Sequence, residues 1–154
     1  MKSENQFNID QKIIAFLKKH HVLTLATVDA NQPYCCNCFY VYDEDKNQFI
    51  FVSDNHTRHV NEAVLNNKIA GSVVLETSTV GKIQGIQFTG IMNEVKESEK
   101  AQIKFHYLKK FPFAIVIKTT FWIIDIHLIK MTDNRLGFGK KLIWSKETME
   151  TKIV

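Results

Sequence analysis

A short segment in the first half of the chain, residues 48–59, dictates the order of a strand, a turn and a helix. Its apolar run Phe49-Ile-Phe-Val52 predicts a buried strand. Turn-forming residues at 53–55 then break the strand, and Thr57 opens a helical pattern. Such a junction leaves unpaired backbone N–H groups and the positive end of the helix dipole at one place.

This junction is a candidate phosphate site. Ser53 and Thr57 offer hydroxyl groups, Arg58 offers a planar fork for two oxygen atoms, and His59 adds a ring nitrogen. The alternative is a plain helix cap, in which Thr57 satisfies an amide and Arg58 and His59 are solvated. Two features favour the anion. Cations in a first helical turn oppose the dipole unless an anion neutralises them. Only two of the 20 basic residues are arginines, Arg58 and Arg135, so guanidinium is used sparingly.

Length and composition indicate one globular domain over residues 1–154. The sequence contains no apolar run of about 20 residues and no signal-peptide pattern, so we expect a cytoplasmic protein that does not enter a membrane. The formal net charge is +4, with lysines dispersed among acidic residues. This dispersion is typical of a solvated surface, and it disfavours a nucleic-acid interface.

The three cysteines, Cys35, Cys36 and Cys38, crowd into one predicted strand. Their odd number and crowded spacing disfavour a local disulfide framework, and a zinc site would also need distant partner ligands. We therefore expect small, buried core residues and no metal, with a reactive thiol as the lesser alternative.

Hydrophobic periodicity predicts a mainly β fold with inserted helices. Helices are predicted at 9–20, 57–66 and 96–111, and strands at 22–28, 34–42, 49–52, 69–75, 82–95 and 121–129. A turn and a final strand or extended segment follow within 131–144, and the last residues are expected to fray. Regular βα alternation is missing, which favours a closed, antiparallel sheet.

These segments together resemble the FMN-binding split barrels typified by pyridoxamine 5′-phosphate oxidase. The resemblance is carried by residues 51–59, by Asn66-Asn67 and by Gly81–Gly90, which is similar to a flavin-lining strand that ends in glycine. Strings at 21–24, 37–40 and 132–141 are similar to the little-characterised bacterial YhbP-like branch. The resemblance spans nearly the whole chain and implies a six-stranded antiparallel split β-barrel.

The resemblance also implies a function and a set of site residues. It implies a homodimer with FMN at the subunit interface, acting as an oxidoreductase on an unidentified small molecule. Thr57 and Arg58 would bind the FMN phosphate, assisted by Ser53 and His59. The implied contacts to the flavin ring are Asn37, Cys38, Phe39 and Tyr40 on one strand, and Lys82, Gln84 and Gln87 from the partner subunit.

The sequence departs from the oxidase pattern in ways that affect the substrate. Tyr42 stands where the oxidase has a substrate-binding lysine, Gly85 stands where the family has glutamine, and the C-terminal Arg-x-His pair has no counterpart. Oxidation of vitamin B6 is therefore not implied. A non-catalytic protein that binds or stores flavin or haem stays open as the alternative, with a nucleic-acid binder as a weaker one.

Three features outside the phosphate junction complete the expectations. His127 lies on an apolar strand and is expected to be a hydrogen-bonded core residue, with haem ligation as the lesser alternative. Trp144 is expected to stack on the flavin or to pack at the dimer seam. The polar cluster around Arg135 is either a solvated turn or a loop that closes over the site.

Overall fold

Eight antiparallel strands form one sheet that closes on itself. The computed structural model describes residues 6–116 and 119–154. The strands are β1 Val22–Asp29, β2 Gln32–Asp43, β3 Gln48–Ser53, β4 Lys68–Val74, β5 Gln84–Glu94, β6 Thr120–Asp133, β7 Lys141–Ser145 and β8 Glu150–Ile153. The helices are α1 Gln11–Lys19, α2 Arg58–Leu65 and α3 Glu97–Lys110, with short 3₁₀ turns at Val80–Lys82, Pro112–Val116 and Asn134–Leu136.

The sheet closes because β3 has two neighbours. The strand order is β3-β2-β1-β4-β5-β6-β7-β8, and β3 also pairs with β6. The first six strands therefore form a barrel, from which β7 and β8 extend as a hairpin. This confirms the predicted antiparallel split-barrel class with inserted helices, although the sheet has eight strands where six were predicted.

The predicted frayed C-terminus is wrong. Glu150–Ile153 pairs with β7 in a regular register, from Leu142 opposite Ile153 to Ser145 opposite Glu150. Trp144 on β7 is fully buried, and its Nε1 donates a hydrogen bond to the Phe7 carbonyl at 2.6 Å. The burial of this indole ties the hairpin to the barrel, and it excludes the predicted role of Trp144 at a flavin or dimer seam.

Large side chains fill the barrel interior, and two glycines make room for them. A Cβ atom at Gly71 would lie 2.3 Å from Phe88 Cζ and 2.4 Å from the Thr24 carbonyl oxygen. At Gly90, where the β5–β6 register shifts, a Cβ atom would lie 2.4 Å from the Asp125 carbonyl oxygen. Both positions therefore require glycine for close backbone approach.

The three helices cover different parts of the barrel. Asp10 caps α1 by accepting a hydrogen bond from the Lys12 N–H at 2.8 Å, and the apolar face of α1 joins the barrel core. Helix α3 covers a second apolar cluster that includes Ile103 and Tyr107. Helix α2 packs against β1, β2 and β5. Its first turn brings His59 close to Cys36 and Cys38 on β2. No helix among the described residues is both long and apolar enough to cross a bilayer.

Candidate functional site

The predicted strand–turn–helix junction is present, and its first helical turn lacks a side-chain cap. Strand β3 ends at Ser53, and Asp54 organises the turn by accepting a hydrogen bond from the His56 N–H at 2.7 Å. Thr57 occupies the N-cap position with an extended backbone, but its hydroxyl donates to the Asp54 carbonyl at 2.8 Å. The plain-cap interpretation of Thr57 is therefore wrong, and the first N–H groups of α2 receive no side-chain acceptor from it.

Three polar side chains meet at this junction. Ser53 Oγ lies 2.7 Å from His59 Nε2, and Thr57 Oγ1 lies 3.3 Å from both of these atoms. A strand end, an N-cap and the second helical position thus present two hydroxyls and an imidazole to one point. The structure brings together three of the four predicted phosphate ligands.

Arg58, the fourth predicted ligand, lies beside this cluster, and its guanidinium is held by Glu62 and Tyr34. Its Nε donates to Glu62 Oε1 at 2.7 Å, and its guanidinium stacks over the Tyr34 ring at 4.3 Å. Glu62 is buried, and its other oxygen accepts a hydrogen bond from the Thr27 hydroxyl at 2.6 Å. The two terminal nitrogens of Arg58 make no hydrogen bond to the residues that the structure describes, so they are available to a ligand.

The buried carboxyl of Glu62 is stabilised as an anion. The hydrogen bond from Thr27, followed by that from Arg58, lowers the pKa of Glu62. The same pairing raises the pKa of Arg58. At neutral pH the pair is therefore charged on both sides, and the orientation of the guanidinium is set by the protein.

Two cysteines extend the junction inward along β2. Cys36 and Cys38 face the same side of the strand, with their Sγ atoms 3.9 Å apart. Cys36 Sγ, Cys38 Sγ and a ring nitrogen of His59 all lie within 4.8 Å of one another. Cys35 points the other way and is exposed. The expectation of three buried core cysteines thus holds only for Cys38, since Cys36 is half-buried.

The hydrogen bond between the two thiols changes the pKa of each. A hydrogen bond from Cys38 lowers the pKa of Cys36 to about 5, and His59 adds to this effect. The same hydrogen bond and burial raise the pKa of Cys38. Sequence reasoning missed this cluster: the alternation of β2 places the two thiols on one face, but their partner comes from a helix 21 residues further along the chain.

The predicted flavin contacts on β2 divide between two faces. Asn37 and Phe39 are exposed on the outer face of the barrel. Cys38 and Tyr40 point inward, and the Tyr40 hydroxyl donates to the Leu17 carbonyl at 2.8 Å. Any contact of these two with a ligand on the outer face must therefore come from the backbone.

The contacts predicted on β5 lie across the same outer face. Asn37 pairs with Thr24, Thr24 with Ser72, and Ser72 with Gln87, so one row of small and polar side chains crosses four strands. Gln87 is exposed in this row. Along the next row, Ala26, Ala70 and Thr89 border a groove of about 500 Å³. The result is a flat, exposed face without large side chains at its centre.

Lys82 and Gln84 lie at one edge of this face. Lys82 is exposed in the short 3₁₀ turn before β5. Gln84 Oε1 accepts a hydrogen bond from Arg135 Nη2 at 2.9 Å. The Arg135 guanidinium also donates to both oxygens of the buried Asp133, at 2.9 and 2.7 Å. Arg135 is therefore a structural link between the turn after β6 and the start of β5.

His127 is not the core residue that its strand suggested. Its side chain is 42% exposed, it lies 3.2 Å from Asp125 Oδ2, and it borders the groove on the outer face. A period-two pattern predicts which face a strand residue occupies, but here both faces of β6 carry apolar residues.

Comparisons with known proteins agree with this architecture. The sequence matches the family model for pyridoxamine 5′-phosphate oxidase over residues 9–133. A UPF0306 protein of Photorhabdus laumondii is 38% identical over 136 residues, covering 88% of this chain and 95% of its own. A UPF0306 protein of Klebsiella pneumoniae is 40% identical over 132 residues, covering 86% and 90%.

Solved structures with the same fold carry different ligands in their descriptions. A heme binding protein from Mycobacterium smegmatis superposes with a TM-score of 0.70 at 13% identity, covering 88% of this chain and 57% of its own. A FAD-binding protein from Mesorhizobium loti superposes with a TM-score of 0.66 at 17% identity, covering 80% and 93%. The fold is thus shared by proteins described as binding flavin and by proteins described as binding haem.

Proposed function

Because the chain belongs to the pyridoxamine 5′-phosphate oxidase family, we propose that it is an FMN-binding protein and an oxidoreductase acting on a small molecule. The observation that carries this proposal is the pairing of Arg58 with Glu62 beside the cluster of Ser53, Thr57 and His59. The guanidinium is fixed through Nε, which leaves its outer edge for two oxygens of a phosphate. Hydroxyl and imidazole groups supply further donors, and the N-terminus of α2 adds its dipole.

The donor set suits a phosphate ester. Ser53, Thr57 and His59 now satisfy one another, and a phosphate would replace these mutual hydrogen bonds with charge-assisted ones. No carboxylate within the described part of the chain hydrogen-bonds to this trio, and the nearby carboxylate of Glu62 is already engaged by Thr27 and Arg58. The site therefore offers hydrogen-bond donors to a ligand, while the negative charge of Glu62 is buried and already paired.

The outer face of the barrel suits the rest of the cofactor. Asn37 and Phe39 from one subunit would border the flavin ring, and Lys82, Gln84 and Gln87 would approach it from a second copy. Small residues across β1, β4 and β5 let two sheet faces come close together, which supports a homodimer with shared sites. A bound flavin would supply the hydride or electron transfer, while the protein supplies binding and orientation.

A location in the cytoplasm belongs to the same proposal. All three cysteines are free thiols, which fits a reducing compartment.

The experiment compares FMN with riboflavin, which lacks the phosphate. We expect the purified protein to quench FMN fluorescence on mixing and to bind riboflavin much more weakly. Equal affinity for both ligands would exclude a phosphate anchor, and no quenching with FMN would overturn the proposal. Reduction of the bound flavin by NADH or NADPH would support the oxidoreductase over a storage role.

Haem binding is the second candidate, and one observation favours it. His127 borders an apolar groove of about 500 Å³ on the outer face, where its imidazole is partly exposed. A Soret band on addition of haem, lost in His127→Ala, together with no uptake of FMN, would establish haem in place of flavin.

A further inference from the structure

Two thiols and an imidazole converge on one point below the first turn of α2. Cys36 and Cys38 are two residues apart on β2, so their side chains project from the same face of the strand. Their Sγ atoms lie 3.9 Å apart. Two thiolates on one tetrahedral zinc ion, each with a Zn–S bond of ~2.3 Å, are separated by about 3.8 Å. The strand therefore already holds the sulfurs at the separation that a zinc ion requires.

The third ligand comes from the helix. A ring nitrogen of His59 lies within 4.8 Å of both sulfurs. Coordination needs nitrogen–sulfur separations of roughly 3.5 Å, so each of these distances has to shorten by about 1.3 Å at most. Ser53 Oγ lies 2.7 Å from His59 Nε2, so ligation through the other ring nitrogen, Nδ1, would keep this hydrogen bond as the contact that orients the imidazole.

We propose that Cys36, Cys38 and His59 form a binding site for zinc, with three protein ligands and a fourth coordination position left open. Cys38 is buried, whereas Cys36 and His59 are half-buried, so an ion can reach the site from the α2 side. Cys₂His with one open position is a ligand set that zinc uses where a water or substrate oxygen completes the shell. Binding would leave both sulfurs as thiolates and release the proton that Cys38 carries, and no oxidant or reductant is needed.

A disulfide is the competing use of the two sulfurs, and the geometry disfavours it. The sulfurs are 3.9 Å apart, whereas a disulfide bond is about 2.05 Å long. Residues two apart on an extended strand can reach that length only with distortion of the strand, and β2 is regularly paired with β1 on both sides of the cysteines. The pair is better placed for an ion between the sulfurs than for a bond.

The test uses reduced, metal-free protein and no flavin, so that it is independent of the proposed FMN function. Zinc is titrated against a chromophoric chelator, and Co²⁺ is used as a probe because thiolate ligands give it a near-ultraviolet charge-transfer band. We expect one ion per chain and a cobalt band of two thiolates. Cys36→Ser and Cys38→Ser should each weaken zinc binding at least about tenfold, and the band should shrink accordingly.

Cys35→Ser is the matched control, because Cys35 is adjacent in sequence but exposed on the opposite face. It should bind zinc like the wild-type protein. The proposal is overturned if wild-type protein takes up no zinc, if Cys35→Ser abolishes uptake, or if the Cys36→Ser, Cys38→Ser double variant binds unchanged. Should a variant not fold, X-ray absorption of the zinc-loaded wild-type protein decides, with two sulfurs and one imidazole nitrogen expected. FMN affinity is measured separately, so loss of flavin binding with retained zinc uptake contradicts only the proposed function.

Discussion

Arg58 and Glu62 lie one helical turn apart, and the buried carboxylate holds the exposed guanidinium by its Nε at 2.7 Å. Thr27 on β1 fixes the other carboxylate oxygen, so a barrel strand sets the direction of a helix side chain. This arrangement would reduce the side-chain entropy that Arg58 loses on binding the proposed phosphate. It also accounts for an acidic residue beside the proposed phosphate site.

Replacement of Arg58 should weaken FMN binding more than riboflavin binding. We expect Arg58→Ala to raise the FMN dissociation constant by roughly ten- to a hundredfold, because two charge-assisted hydrogen bonds are lost. Riboflavin affinity should change little. Arg58→Lys keeps the charge but loses the planar fork, so its FMN affinity should lie between those of the wild-type protein and Arg58→Ala. Fluorescence titrations give all three values, and an unchanged FMN affinity in Arg58→Ala would remove Arg58 from the site.

Thr27→Val should destabilise the protein without changing the shape of the side chain. The variant leaves one oxygen of a buried carboxylate without its donor, so we expect the midpoint of thermal unfolding to fall by about 2–6 °C. Thr79→Val, at an exposed position before β5, serves as the control and should be nearly neutral. Calorimetry measures both. A neutral Thr27→Val would mean that water replaces the hydroxyl.

Gly90→Ala should be strongly destabilising, whereas Gly81→Ala should be tolerated. The new Cβ at residue 90 would meet a backbone carbonyl at 2.4 Å, and no heavy atom lies within 4 Å at residue 81. We expect Gly90→Ala to lower the free energy of unfolding by at least about 1–3 kcal/mol. Gly81→Ala should change it by no more than ~0.5 kcal/mol. Urea denaturation of both variants measures the difference. Equal stabilities would show that the β5–β6 bulge relaxes around the added atom.

The contribution of Asp133 to stability should depend on pH. The hydrogen bond from Arg135 lowers the pKa of Asp133 below its ordinary value of 3.8. A carboxyl with a lowered folded-state pKa stabilises the protein fully above pH 3.8, and this contribution is lost as the pH falls through the lowered value. Asp133→Asn should therefore cost about 1–2 kcal/mol at neutral pH, and the difference from wild type should shrink below pH ~4. Denaturation curves across this range test the sign, and a difference that grows on acidification would contradict it.

A charge at the centre of the outer face should prevent dimer formation and FMN binding together. Ala70 is exposed there, opposite Ala26 and Thr89 on the neighbouring strands. We expect Ala70→Arg to be monomeric by light scattering and to lose FMN affinity. Ile153→Arg, at another exposed apolar position, should stay dimeric. A dimeric Ala70→Arg with normal FMN binding would place the interface elsewhere.

The sequence predicted the barrel well because its strands follow local rules. Alternating or continuous apolar runs bounded by turn residues located β1 to β6, and Asp10 and Thr57 marked the starts of α1 and α2 within one residue. The hairpin of β7 and β8 was only partly foreseen, since Glu150–Ile153 is a short strand with one partner and its burial depends on Trp144. The local sequence pattern of a short strand at the edge of a sheet does not indicate whether it will pair.

The site was less predictable because its contacts are between elements. Residues 53–59 are close in sequence, and their convergence could be expected from the turn alone. The link from Glu62 to Thr27 and the approach of His59 to Cys36 depend on how α2 crosses β1 and β2, which no spacing in the chain encodes. The exposure of His127 also depends on the whole sheet, because β6 changes neighbours from β3 to β7 along its length.

The two tryptophans of the chain lie in the two parts of the sheet that β6 joins. Trp122, where β6 closes the barrel, donates its indole N–H to the Ser53 carbonyl at 3.3 Å, whereas Trp144 belongs to the hairpin. Intrinsic emission can therefore be divided between two locations with single Phe replacements. Emission from Trp122 would then report ligand binding at the proposed phosphate site, and emission from Trp144 would report detachment of the hairpin.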